Sequence, residues 1–281
     1  MQTKMKLSIN RNTIWCDLFV KKLSDLGVKY ACISPGSRST PLTLAFAENK
    51  SIQTFPIVDE RSSSFFALGL AKQSNLPVAV ITTSGTAVAE LYPAIIEAYY
   101  QRVPLIICTA DRPQYLRNSG SNQTINQNNI YKNHIRYFAD AGLPSVQLQK
   151  LNNIMKIAEQ AFSKSLLIDK GPVHINFPFE KPFEPDTYTD KIDIKIINKL
   201  FELSSIKIKQ KIKSSTLSKS LINKFVGVKR GLILMGYDNY DSDLAKSISE
   251  FSDMTGFPIV ADGASGMRFC KHSKKNYLSN F

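Results

Sequence analysis

Acid, arginine and hydroxyl side chains gather in four short segments of this sequence, and each segment could do chemistry. Residues 34–39, SPGSRS, combine a Pro-Gly turn with Arg38, whose planar fork suits a carboxylate, flanked by Ser37 and Ser39. Asp59-Glu60-Arg61 precedes three serines, so Asp59 or Ser62 can cap a helix while Glu60 complements its dipole. In 82–86, TTSGT, Gly85 permits close approach of backbone to a ligand. That segment has neither a phosphate-binding loop nor a nucleophile elbow, so Ser84 is a poor nucleophile. The polar run 109–127 carries Arg112, Arg117, Asn122 and Gln123. Taken singly, each segment also reads as ordinary structure: a capped turn, a helix end, a polar surface loop.

What must position them is a repeated strand–helix pattern. Residues 12–26 have the spacing of an amphipathic helix, with Gly27 suited to the left-handed position that ends it. Short apolar runs at 28–33, 52–58, 78–83, 105–110 and 173–176 read as strands, and 62–73, 86–100 and 150–165 as helices. Alternation of this kind implies an α/β fold, a doubly wound parallel sheet with helices on both faces. Such sheets bind ligands in the loops at the C-terminal ends of their strands, and the chemistry-bearing residues fall in those loops.

The prolines at 178, 182 and 185 discourage helix and central strand, so a first domain is expected over 1–187. A lysine-rich linker is expected at 188–229; residues 191–230 hold eleven Lys and Arg against Asp193 and Glu202. A second pattern follows at 230–281, with strands at 231–235 and 257–262 and a helix at 241–254. Two strands and one helix bury too little to stand alone, so this stretch is expected to be the incomplete start of a second α/β domain.

The net charge of +13 invites a nucleic-acid reading, but much of it sits in the expected linker and no recognition motif accompanies it. The four cysteines are scattered without a CxxC pair, and Cys32 and Cys108 lie inside apolar runs, as small buried hydrophobes do. The three histidines are equally dispersed, so no metal site is expected. No apolar run reaches membrane-span length and the first residues lack a signal-peptide core, so a cytoplasmic protein is expected.

Together the segments have a specific wording. The runs SPGSRSTPL, DERSSSFFALGLAK, TTSGTAVAELYPA, TADRP, SNQTINQ and GPVHINFPF closely resemble the pyrimidine-binding domain of the SEPHCHC (2-succinyl-5-enolpyruvyl-6-hydroxy-3-cyclohexene-1-carboxylate) synthases of menaquinone biosynthesis, over residues 10–185. Residues 231–266 resemble more loosely the start of that family's central domain. The resemblance implies a thiamine-diphosphate-dependent transferase that decarboxylates 2-oxoglutarate and adds the succinyl unit, in a 1,4 sense, to isochorismate. By position in the motifs, Glu60 is the catalytic carboxyl that meets the aminopyrimidine ring of the cofactor, and a dry site suits that role. Ser84, Gly85 and Thr86 are expected against the same ring, and Ser37, Arg38, Arg112, Asn122 and Gln123 at substrate.

The family's shared active site implies at least a homodimer, with no nucleic-acid or membrane partner. Its Mg2+ and cofactor diphosphate are held by a further domain, through Gly-Asp and a later Asn. No such motif occurs here, since Ala261-Asp262-Gly263 lacks the context, so the chain alone is expected to be inactive. Acetolactate-synthase-type enzymes share the glutamate but usually read HE where this chain reads DER. A non-catalytic, truncated interaction module is the alternative from a different class.

Overall fold

A computed structural model describes residues 6–166, 169–188, 190–204, 218–225, 227–238, 240–271 and 275–278. They form two compact units, within residues 1–209 and 210–281.

In the first unit, strand β1 (Lys6–Ile9) leads into helix α1 (Arg11–Leu26) and strand β2 (Tyr30–Ile33). Then come α2 (Thr40–Glu48), β3 (Gln53–Pro56), α3 (Glu60–Ser74), β4 (Val78–Thr82), α4 (Thr86–Glu90), α5 (Tyr92–Tyr100) and β5 (Leu105–Asp111). β6 (Tyr137–Asp140), α6 (Leu148–Leu166), β7 (Val173–Pro178), β8 (Asp190–Asp193) and α7 (Ile194–Ser204) complete it. Six strands make one parallel sheet in the order β3-β2-β4-β5-β7-β6. Side chains alternate across it. Ala31, Ile33, Ala79, Ile81, Ile106, Cys108, Ile175 and Phe177 share a core with α1, α2 and α6. Cys32, Val78, Val80, Leu105 and Ile107 share another with α3 to α5. Every residue of β4, β5 and β7 is buried, which is why these strands are mostly apolar in sequence.

The helix expected over 86–100 is two helices, since Pro93 in the first turn of α5 cannot continue a preceding helix. Asn10 caps α1 by accepting from the backbone N–H groups of Asn12 and Thr13 at 2.8 and 3.3 Å. Its amide also donates to the carbonyls of Glu184 and Thr187, both at 2.9 Å. Asn12 donates to those of Glu180 and Pro182 at 3.0 and 2.9 Å, tying the proline-rich segment to the start of α1.

Part of the stretch expected as linker is built into this unit. β8 pairs antiparallel with β1, Arg11 grips Asp190 through two bonds of 2.7 and 2.9 Å, and Ile197 and Leu200 of α7 enter the core. The lysine content hides that amphipathic face from a charge-based reading. Lys207, Lys209, Lys211 and Lys213 lie outside the described residues.

The second unit has α8 (Lys219–Phe225), β9 (Ile233–Met235), α9 (Ser242–Thr255), β10 (Ile259–Ala261) and β11 (Tyr277–Leu278). Its strands form a parallel sheet in the order β11-β10-β9. Asp241 caps α9 at its start and Gly256, with φ 71°, ends it. The buried core is small: Ala245, Ala261 and Met267. Among the described residues, no helix is long and apolar enough to cross a membrane.

Candidate active site

The chain runs from β2 outward to β3 and then returns to the other side of β2 for β4, which leaves a crevice beyond the ends of β2 and β4. Two loops line it, 34–39 and 83–85, and they touch. A Cβ on Gly36 would stand 2.5 Å from Cβ of Thr83, so only glycine fits. Ser34 donates to the carbonyl of Ile57 at 2.9 Å, joining the end of β2 to that of β3.

Each expected site residue has a definite place. Ser37 is exposed at the start of a 3-10 turn, and Arg38 follows it half-buried. Arg38 donates from Nη1 to the carbonyl of Phe179 at 2.6 Å and lies over the Phe183 ring, 4.8 Å from its centre. Its Nε is buried without a partner. Burial, and then repulsion from Arg112, holds its pKa below the ordinary arginine value. Arg112 is half-buried too, and burial lowers its pKa. Its guanidinium donates to the Ser84 hydroxyl and to the carbonyl of Asn122. Two neighbouring cations in a crevice make a place for an anion.

Ser84 and Gly85 are buried, and Thr86 is exposed as the first residue of α4. Asn122 and Gln123 are exposed on the loop above, Gln123 with φ 55°. A Cβ on Gly85 would meet the carbonyl oxygen and Cγ of Gln123 at 2.8 Å. Asp59 is the cap of α3, accepting from the Ser62 N–H at 2.6 Å. The next residue, Glu60, is therefore not needed as a cap. It is half-buried and makes no hydrogen bond or ion pair among the described residues. Arg112, Ser84, Gly85, Asn122 and Gln123 thus form one contiguous group, and Arg38 is near enough to feel the charge of Arg112. No hydrogen bond joins Glu60, Ser37 or Thr86 to it within the described residues.

Beneath that group lies a buried polar network that the loop-based reading passed over. Asp111, the last residue of β5, is fully buried. It accepts from the Arg112 backbone N–H at 2.7 Å and from Asn176 Nδ2 at 2.9 Å, and it forms an ion pair with Arg117, whose Nε lies 3.0 Å away and donates to the Arg112 carbonyl at 3.3 Å. Arg117 also binds Asp140 at 2.9 Å. Because Asn176 must donate to that carboxylate, its Oδ1 is the atom that accepts from Thr109 Oγ1 and Gln127 Nε2, each at 3.0 Å. Thr109 spends its proton there, so the 2.7 Å contact with His174 requires His174 to carry its hydrogen on Nε2. Burial holds the His174 pKa down to about 3, so the ring is neutral. The signal was present in the sequence as Asp111 and Asn176 closing apolar strand runs, where a polar side chain needs a partner.

Residues 15–130 match the family model described as the thiamine pyrophosphate enzyme, N-terminal TPP binding domain. This stretch is similar to that domain. Both loops of the crevice, Glu60 and the arginine pair fall inside the match. Over most of its length the chain is similar to curated proteins named 2-succinyl-5-enolpyruvyl-6-hydroxy-3-cyclohexene-1-carboxylate synthase. It is 39% identical over 264 residues to that of Haloquadratum walsbyi, covering 92% of this chain and 43% of the relative. It is 40% identical over 262 residues to that of Trichodesmium erythraeum, covering 92% and 45%. Against that of Crocosphaera subtropica it is 40% identical over 278 residues, covering 97% and 47%. The chain therefore spans a little under half the length of the curated synthases it matches.

The donor set around the crevice fits an aminopyrimidine. Among the described residues, Glu60 offers an unpaired carboxyl, and Ser63 Oγ and Thr82 Oγ1, in the elements that flank the crevice, are buried without partners.

Proposed function

We propose that this chain supplies the pyrimidine-binding part of the active site of a SEPHCHC synthase, one that decarboxylates 2-oxoglutarate and transfers the four-carbon unit to isochorismate. The observation that carries the reading is the adjacent, half-buried pair Arg38 and Arg112 at the crevice. Both substrates are polyanions, and planar guanidinium forks pair with carboxylates in a fixed orientation. Arg112 is satisfied in the free chain by Ser84 and the Asn122 carbonyl, so an incoming carboxylate would replace weaker, neutral partners. Ser37, Asn122 and Gln123 stand exposed around the pair and would complete the polar lining.

Thiamine diphosphate, when bound, supplies the carbon nucleophile that a 2-oxo acid requires for loss of CO2. Glu60 would hold a proton against the ring nitrogen of its aminopyrimidine, and the Ser84-Gly85-Thr86 turn would support the ring. Mg2+ and the diphosphate would be held by residues outside this chain, and a second subunit would close the site, making the working protein at least a homodimer.

In the complete protein, Glu60→Gln is expected to slow exchange of the cofactor's C2 proton, followed by NMR in deuterated water, by at least ~100-fold. Unchanged exchange would reduce Glu60 to a helix-end acid. Arg38→Ala is expected to raise KM for 2-oxoglutarate about tenfold, the scale of one charged hydrogen bond, with the fold intact. The isolated chain should release no CO2 from 2-oxoglutarate, and robust release would refute the division of labour.

A further inference from the structure

We infer that Gln127 is a positioning residue for the cofactor turn: its side chain fixes the peptide plane between Ser84 and Gly85 and couples it to Asp111-Arg112. The inference rests on the reading of 84–86 as the turn that meets the aminopyrimidine.

Gln127 is fully buried on the loop that follows β5, 42 residues along the chain from the glycine it serves. Its Oε1 accepts from the Gly85 N–H at 3.0 Å, and its Nε2 donates to the Ala110 carbonyl at 3.1 Å and to Asn176 Oδ1 at 3.0 Å. The orientation of this amide is forced. A backbone N–H can only donate and a backbone carbonyl can only accept, so the side chain cannot be turned over without losing its bonds to Gly85 and Ala110. Both polar atoms have partners, as a buried amide requires.

What this accomplishes follows from the peptide it grips. The Ser84–Gly85 peptide is planar, with its C=O opposite its N–H, so anchoring the N–H to Gln127 directs the Ser84 carbonyl away from Gln127. Gly85, at φ 84° and ψ −138°, is in a conformation open to glycine, and a glycine peptide left unanchored could rotate. The turn is held on its other sides by the same loop, through Arg112 on the Ser84 hydroxyl and the Gln123 backbone against Gly85. Gln127 is the member of that set with no access to solvent, and it belongs to the Asn176–Asp111 network that also orients the Arg112 backbone. A shift at Asp111 or Arg112 is thus carried through two buried amides to the turn beside the cofactor.

The test uses the complete protein and three measurements: amide hydrogen exchange at Gly85, calorimetric affinity for thiamine diphosphate with Mg2+, and melting temperature. Gln127→Met keeps the shape and removes the bonds. It is expected to speed Gly85 exchange and weaken the cofactor, each about tenfold, with KM for 2-oxoglutarate within about twofold of the parent. Gln127→Glu keeps the acceptor for Gly85 and can donate to Ala110 only when protonated. It should retain most of the Gly85 protection and bind the cofactor more tightly at pH 5.5 than at pH 8. A parent-like cofactor affinity in Gln127→Met overturns the proposal. So does a lowered melting temperature with Gly85 protection intact, which would make Gln127 a packing residue. If the parent protein itself fails to bind the cofactor, the reading of the crevice fails, a result distinct from a parent that binds and a variant that binds equally well.

Discussion

Two carboxylates sit just beyond strands of the same sheet and have opposite fates. Asp111, at the end of β5, has no exposure, receives hydrogen bonds from Arg112 and Asn176 and forms an ion pair with Arg117. Glu60, at the start of α3 after β3, is half-open and has no partner among the described residues, because Asp59 has taken the capping role. A carboxylate whose lone pairs are filled holds structure together, and one left unfilled is available to a ligand. The contrast separates the scaffold of the site from its working surface more sharply than distance from the crevice does.

Removing Asp111 should break that scaffold. Asp111→Ala leaves the Arg112 backbone N–H without its acceptor and leaves Arg117 and the Asn176 amide with the Asp140 carboxylate alone, and is expected to cost about 3–5 kcal/mol in denaturant unfolding. A loss below ~1 kcal/mol would put the two acids in one class. His174 extends the buried side of the comparison. Its folded pKa of about 3 lies under the unfolded value, so the unfolded chain binds the extra proton as pH falls through 6.5. This group should cost about 3 kcal/mol of stability by pH 4 relative to pH 7. His174→Gln, which can still donate to Thr109, should flatten that limb.

Asp17 on α1 is a third kind of acid, half-buried and, among the described residues, without the donors that Asp111 enjoys. Burial and then the charge of Glu48 push its pKa up to about 6. Its charged form is therefore disfavoured above pH 6 and relieved as pH falls towards 3.8, opposite to His174. Asp17→Asn should stabilise the protein by about 1–2 kcal/mol at pH 8 and by nothing near pH 3.5, read from paired melting curves. The smallest effect belongs to Glu60→Gln. It should change unfolding free energy by no more than ~0.5 kcal/mol, the scale of a helix-dipole contact, although it is expected to abolish most function. A large stability loss there would erase the contrast with Asp111.

The parallel sheet was legible because β4, β5 and β7 are buried on both faces and carry little but apolar residues. β6 was not, since Tyr137–Asp140 is a half-exposed edge strand, and α7 was masked by lysines around Ile197 and Leu200. In the crevice, the arginines and Gly85 were visible because local turn and helix-start patterns frame them. The Gln127–Asn176–Asp111 network was not, because its members are 49 and 65 residues apart in sequence and meet only across a sheet whose strand order the sequence does not spell out.

The strand pair β1–β8 ties the first strand of the first unit to the strand that leads into its last helix, α7, with Ile9 opposite Asp190 and Arg11 gripping that aspartate. A unit latched in this way has its first and last strands held together, so its ends need not be pulled apart for the sheet to stay closed. Fusing those ends and opening the chain at the exposed Gly142–Leu143 turn would make a circular permutant that keeps the crevice whole.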